Sequence, residues 1–136
     1  MLDKEVVEGM LERGRQIGKK GEEGAEYEIL KSCLIIKIKG DLDHHNAIPI
    51  RERADKLIVR NNIKHIVFDF SEADFMDSAG IGVIMGRYKK VIFIGGKTAV
   101  TSVNSAVDRV FKLSGLYKII DKYDSVEMAI KSLQNV

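Results

Sequence analysis

Phe75-Met76-Asp77-Ser78-Ala79-Gly80-Ile81-Gly82-Val83-Ile84-Met85-Gly86-Arg87-Tyr88-Lys89 decides how this chain reads, because it turns a strand into a helix. Ahead of it, His65 to Phe70 is an apolar run with the length and β-branched content of a buried strand, and Ser71 to Asp74 reads as a short polar connector. Asp77 and Ser78 are residue types that cap helix N-termini, since a side-chain oxygen can accept a backbone N–H that the first turn leaves unpaired. Behind them Ile81, Ile84, Met85, Tyr88 and Ile92 share one helical face.

The helix carries Gly80, Gly82 and Gly86, each costing an exposed helix interior about 0.8–1.0 kcal/mol relative to Ala. Glycine removes side-chain bulk, so the first turn can lie close to a strand, a phosphate or a partner protein. Two readings follow: plain packing of helix on sheet, or a recognition surface centred on Ser78, whose hydroxyl would sit at the positive end of the helix dipole.

Upstream, Met1 to Lys20 places Leu2, Val6, Met10, Leu11 and Ile17 at roughly helical spacing, but the repeated glycines argue against a persistent helix. Residues 1–25 are therefore expected to be a weakly structured extension, and the domain to span residues 26–136. It should open with strands at Tyr27 to Leu30 and Cys33 to Lys39, joined by a tight turn at Lys31-Ser32, with Gly40 ending the second. A polar loop, Asp41 to His45, leads to a helix from Asn46 to Asn61 with Ala47, Ile50, Ala54, Leu57 and Ile58 inward and Pro49 in its first turn.

Downstream, Val91 to Ile94 has strand composition, yet Val91 and Ile92 continue the helical face. Lys97 to Val103 reads as a strand, Asn104-Ser105 as the cap of a helix with Val107, Val110, Phe111 and Leu113 inward, and Gly115 as its end. Tyr117 to Asp121 is expected to be the last strand. Asp124 and Glu127 would form a capping box for a final helix with Val126, Ile130 and Leu133 inward. The pattern is an α/β domain: a mixed sheet of about five strands, with an N-terminal hairpin and parallel later strands, and about four helices. Sites in such sheets collect at the C-terminal strand ends, which puts Asp41 to His45 and Asp77-Ser78 on one edge.

Composition narrows the function. The 22 basic and 20 acidic residues are interspersed and leave a net charge of +2, so no basic block invites nucleic acid. No apolar run approaches the ~18 residues of a membrane span, no signal-peptide core is present, and Cys33 is the lone cysteine. A cytoplasmic protein with no nucleic-acid or membrane partner is expected.

Catalysis is not supported by the motifs. A nucleophile elbow needs Gly-x-Ser-x-Gly, but Met76 stands two before Ser78, and His44, His45 and His65 are poorly distributed for a triad. The same histidines lack metal-ligand spacing, with one of the adjacent pair expected exposed and the other packed. Asp69, Asp74 and Asp77 suggest a magnesium pocket no more than ordinary capping and loop solvation. Gly80, Gly82 and Gly86 come close to a dinucleotide fingerprint, but the third glycine falls one residue late, leaving at most weak nucleotide binding and no cofactor.

Met76-Asp77-Ser78-Ala79-Gly80-Ile81-Gly82, followed by Gly86-Arg87-Tyr88-Lys89, resembles the phosphorylation-site segment of the anti-sigma factor antagonists of the STAS-domain family. Gly40-Asp41-Leu42-Asp43-His44-His45 and Ser114-Gly115-Leu116-Tyr117-Lys118-Ile119-Ile120 extend the resemblance toward its sporulation members, over about residues 27–136. The resemblance favours helix up to Gly95-Gly96, with glycine as the C-terminal cap. It implies a non-enzymatic switch: the unphosphorylated protein binds an anti-sigma factor that is also an ATP-dependent serine kinase, and sigma factor is released. Phosphorylation on the serine matching Ser78 ends binding, and a serine phosphatase restores it. By the same resemblance Asp41, Asp43, His44, His45, Asp77, Ser78, Ala79, Gly80 and Gly82 form the partner-binding face. The rival reading is a nucleotide- or anion-binding sensor on the same fold.

Overall fold

Alternating strands and helices fold here into one mixed sheet flanked on both faces by helices. The computed structural model describes residues 24–134 together with the strand Arg15–Ile17. In chain order the elements are β1 Arg15–Ile17, β2 Ala25–Leu30, β3 Cys33–Leu42, α1 Ala47–Arg60, β4 His65–Met76 and α2 Ser78–Ile92. Then follow β5 Thr98–Thr101, α3 Ser105–Ser114, a 3-10 turn Leu116–Lys118, β6 Asp121–Tyr123 and α4 Val126–Gln134.

The six strands lie in the order β1-β2-β3-β4-β5-β6, antiparallel through β1, β2 and β3 and parallel from β3 onward. The strand beyond the five expected is β1, which pairs Arg15 with Ile29 and Ile17 with Tyr27 inside the segment read as an extension. The rest of that reading, residues 1–14 and 18–23, lies outside the described residues. Because each parallel strand is added on the same side of the last, crossovers of one hand put α1, α2 and α3 on one face. Their main core includes Leu34, Ile36, Phe68, Phe70, Ile84 and Phe111. α4 returns across the other face and buries Ala129, Ile130 and Leu133 against Cys33, Ile35, Val67 and Ala99.

Several elements depart from the sequence expectation, each for a readable reason. Ser71 to Asp74 is not a connector: β4 runs on to Met76, pairing Glu72 with Lys39, Ala73 with Gly40 and Met76 with Leu42. Two register shifts, between Lys37 and Lys39 and between Gly40 and Asp41, absorb the extra residues. Gly40 does not end β3 but takes φ +78 at these bulges, a conformation glycine adopts without penalty. The buried face of α2 is Gly80, Val83, Ile84, Arg87 and Val91, with Ile81, Met85 and Tyr88 only flanking it. Arg87 makes the difference: its stem is buried and its guanidinium reaches Asp55 of α1 at 3.0 Å.

The α2 helix stops at Ile92, two residues before the expected end. The amides of Gly95 and Gly96 donate back to Ile92 and Val91, a Schellman pattern that Gly95 permits at φ +78. Tyr117 to Asp121 is not the last strand: the 3-10 turn occupies Leu116–Lys118, burying Leu116 and Ile120, and β6 starts at Asp121. The capping box at Asp124 does not form, since Ser125 Oγ accepts the Met128 amide at 3.2 Å. Leu113, expected inward, is exposed, whereas Val107 and Phe111 are buried as expected. Asn104 caps α3 through the Val107 amide and Gly115 ends it at φ 77, both as read.

Candidate functional site

The parallel pair β3 and β4 sets Asp41 opposite Phe75 and Leu42 opposite Met76, so both chains leave the sheet at the same edge. The Asp77 amide donates to the Leu42 carbonyl at 3.2 Å and ties the two exits together. Beyond Leu42 the loop is held by its own polar groups. The Asp43 amide donates to Asn46 Oδ1 at 3.0 Å, Asn46 Nδ2 donates to the Asp41 carbonyl at 2.6 Å, and the His45 amide donates to Asp43 Oδ1 at 2.9 Å. Asn46 was legible only as a helix start; it makes no side-chain cap and instead clamps the loop.

At the head of α2, Asp77 is the cap: its backbone is extended, φ −104 and ψ −171, and its Oδ1 accepts the Ala79 amide at 2.8 Å. Such a cap contributes about 1 kcal/mol and fixes where the first turn begins. Ser78 is the first helical residue, exposed, and its hydroxyl makes no side-chain hydrogen bond among the described residues. His44 Nδ1 lies 3.6 Å from Asp77 Oδ2, and His45 Nδ1 lies 3.5 Å from Asp43 Oδ2. The two imidazole centroids lie 4.0 Å apart with the rings tilted by 37°, and both are solvent-exposed, 72% and 78%, which corrects the expectation that one would be packed. Partial burial pushes the Asp43 carboxyl upward in pKa, but the hydrogen bonds from His45 and Asn46 outweigh it and hold the group below its ordinary value.

The structure thus gathers Asp41, Asp43, His44, His45, Asp77, Ser78 and Ala79 on one edge. The two glycines assigned to it separate. A Cβ on Gly80 would stand 2.4 Å from Met76 Cγ, 2.9 Å from Leu42 Cγ and 3.0 Å from the Leu42 carbonyl, so Gly80 is buried against the domain's own strands. A Cβ on Gly82 would meet nothing within 4 Å, and the residue faces outward. Phe75, 46% exposed and opposite Asp41, and Ile48 in the first turn of α1, 54% exposed, add apolar surface to the edge. Neither was predicted, because the β4 bulges break the alternation that would have marked Phe75 as outward-facing.

The other candidates fall apart spatially. Asp69 is buried in β4, where its Oδ1 accepts the Ser71 amide and the Thr101 hydroxyl, away from Asp77. No group of three His, Cys, Asp or Glu side chains among the described residues is placed to hold a metal. His65 is buried at the start of β4, with Nδ1 accepting the Lys97 amide at 3.0 Å. A groove of about 300 Å³ lined by Glu26, Glu28, Lys37, Asp69 and Ser102 shares no residue with the Ser78 edge. Among the described residues, no helix is long and apolar enough to cross a membrane.

Residues 25–129 match the STAS domain model. The anti-sigma F factor antagonist of Paenibacillus polymyxa is 41% identical over 111 residues, covering 82% of this chain and 95% of that protein. The structure of the anti-sigma factor antagonist SpoIIAA in its unphosphorylated form superposes with TM-score 0.74 at 27% identity, over 82% of this chain and 97% of that one. The phosphorylated form of the Bacillus cell-fate determinant SpoIIAA gives TM-score 0.65 at 28% identity, over 79% and 97%.

Proposed function

Because this chain belongs to the STAS domain family, we propose that it is an anti-sigma factor antagonist whose binding is switched at Ser78. The observation that carries the reading is the Ser78 hydroxyl: exposed, without a side-chain hydrogen bond among the described residues, and seated on a turn that Asp77 and Leu42 hold fixed. A kinase can reach it without unfolding any element. In the unphosphorylated state the edge formed by Asp41, Asp43, His44, His45, Asp77, Ala79 and Gly82 docks on the anti-sigma factor, with Phe75 and Ile48 adding apolar area, and sigma factor is released.

The partner is itself an ATP-dependent serine kinase. The Ser78 oxygen attacks the γ-phosphorus of ATP, the bond to the β,γ-bridging oxygen breaks, ADP leaves, and the hydroxyl proton passes to a base of the kinase. The phosphoserine carries about −1.5 to −2 charges, which must be desolvated in the interface beside the Asp77 carboxylate. A serine phosphatase hydrolyses the ester and restores the binding form. The setting is cytoplasmic, and sporulation fits the relatives.

Mixing the protein with its cognate anti-sigma factor and a non-hydrolysable ATP analogue should give a stable complex. With ATP, one phosphate should appear on wild type and none on Ser78→Ala. The rival, a nucleotide- or anion-binding sensor, is disfavoured by Asp77, whose carboxylate already occupies the helix N-terminus that an anion would take. Micromolar nucleotide binding by the isolated protein, without complex formation, would reverse that preference.

A further inference from the structure

The pole opposite Ser78 carries a second unpartnered surface. Five of the nine large apolar side chains exposed among the described residues cluster there: Val59 at the end of α1, Ile92, Phe93 and Ile94 at the end of α2, and Ile119 after the 3-10 turn. Phe93 is 88% exposed. One groove, lined by Ile58, Val59, Ile63 and Ile94, opens between α1 and α2, and another, lined by Tyr88, Ile92, Thr98 and Ile119, opens on the far side of α2. Single exposed apolar residues need no explanation, but a contiguous group flanked by two grooves marks a binding surface.

Its rim is basic. Arg60 adjoins Val59, Lys89 and Lys90 occupy the last turn of α2, Lys97 lines the second groove, and the Lys64 carbonyl packs against Gly96. Among the described residues only Lys90 of this group has a carboxylate within ion-pair distance, Asp55 at 3.9 Å.

We propose that residues 1–14 of this same chain dock on this pole. Their apolar residues Leu2, Val6, Met10 and Leu11 recur at roughly helical spacing, and Asp3, Glu5, Glu8 and Glu12 outnumber Lys4 and Arg13, so the segment is acidic where the rim is basic. The chain also starts in the right place. Arg15 pairs with Ile29 near the sheet end where Lys64 donates to the Ser32 carbonyl and Ile66 to that of Lys97, so β1 begins at the same end of the sheet as Phe93. From β1 to β5 is four strand spacings, about 19 Å. Fourteen residues reach about 21 Å as a helix and more than twice that extended. The inference is independent of the role of Ser78.

Hydrogen exchange on the full-length protein tests it. Amides of residues 2–12 should exchange at least about tenfold slower than unprotected peptide rates, the factor that ~1.4 kcal/mol of docking provides. Phe93→Asp, and separately Lys89→Glu with Lys90→Glu, should return them to those rates while amides of His65 to Phe70 stay protected. Unprotected residues 2–12 in the wild type would overturn the proposal, as would protection that survives Phe93→Asp. Protection that rises with protein concentration would assign the pole to a second copy instead. Binding of phosphatidylserine vesicles that Phe93→Asp abolishes, with residues 2–12 unprotected, would assign it to a lipid surface.

Discussion

Gly80→Ala and Gly82→Ala, two positions apart on α2, should move stability in opposite directions. At Gly82 the added methyl enters open space, so only helix propensity changes, and the variant should gain about 0.8 kcal/mol. At Gly80 the same gain is opposed by overpacking, typically 1–3 kcal/mol. The upper part of that range applies, because Met76 and Leu42 are fully buried and the Leu42 carbonyl, 3.0 Å away, belongs to the β3–β4 ladder. The net effect is a loss of about 1–2 kcal/mol. At roughly 4 °C per kcal/mol for a domain of this size, Gly82→Ala should melt about 3 °C above wild type and Gly80→Ala about 4–8 °C below it. Calorimetry measures both, and titration with the anti-sigma factor on the same samples separates folding from recognition. If Gly82 lies in the interface, its methyl should cost at least about tenfold in affinity, ~1.4 kcal/mol, despite the higher melting temperature. A Gly80→Ala that melts at or above wild type, or a Gly82→Ala that melts below it, would refute the assignment of which glycine packs.

Three further outcomes can be checked separately. Ser78→Asp should remain folded, since an acid near a helix N-terminus is favourable by about 0.3–1 kcal/mol, yet bind the anti-sigma factor more weakly than Ser78→Ala in a pull-down. His65 is held below its ordinary pKa of 6.5 by burial first, then by Lys64 and Lys97. Protons therefore bind the unfolded chain first, and denaturant midpoints should be level above about pH 6.5 and fall below it, with a shallower slope in His65→Gln. Glu72 is brought down to about 2 from 4.5 by hydrogen bonds from Lys39 and Lys37, so its contribution is present above pH 4.5 and lost as pH falls toward 2; Glu72→Gln should remove that limb of the acid titration.

How much was legible follows from what each signal measures. Apolar runs report burial, so β3, the first half of β4 and α1 were readable from Leu34, Ile36, Ile66 and Phe68 and from the stripe Ile50, Ala54, Leu57. The second half of β4 was not, because its pairing is made by backbone groups while Ser71, Glu72 and Asp74 point to solvent. The α2 face was misplaced because hydrophobic spacing cannot foresee that a charged Arg87 is buried beside an ion-pair partner on another helix, or that Gly80 packs through its missing side chain. Apolar residues between Leu116 and Ile120 fit a strand or a turn equally well by composition. The turn wins because Leu116 carbonyl accepts the amides of both Ile119 and Ile120. At the site, Asp77 and Ser78 were legible from type and position, whereas Asn46 and Phe75 depended on the bulged register of β3 and β4.

That geometry also constrains how a switch at Ser78 must work. The residues around the hydroxyl are fixed by bonds that do not involve it: Asp77 to Leu42, Asp77 to Ala79, and Gly80 wedged on Met76. A phosphate projecting from the exposed first turn displaces none of them and enters no core position. A charge added at Ser78 therefore acts first where it stands, on whatever surface faces the first turn of α2. On the reading proposed above, that surface is the anti-sigma factor's, and the phosphate would exclude it by charge and bulk. Because Asp77 and not Ser78 caps the helix, the serine hydroxyl has no part in holding the turn, and a phosphate placed on it as proposed would leave the cap intact.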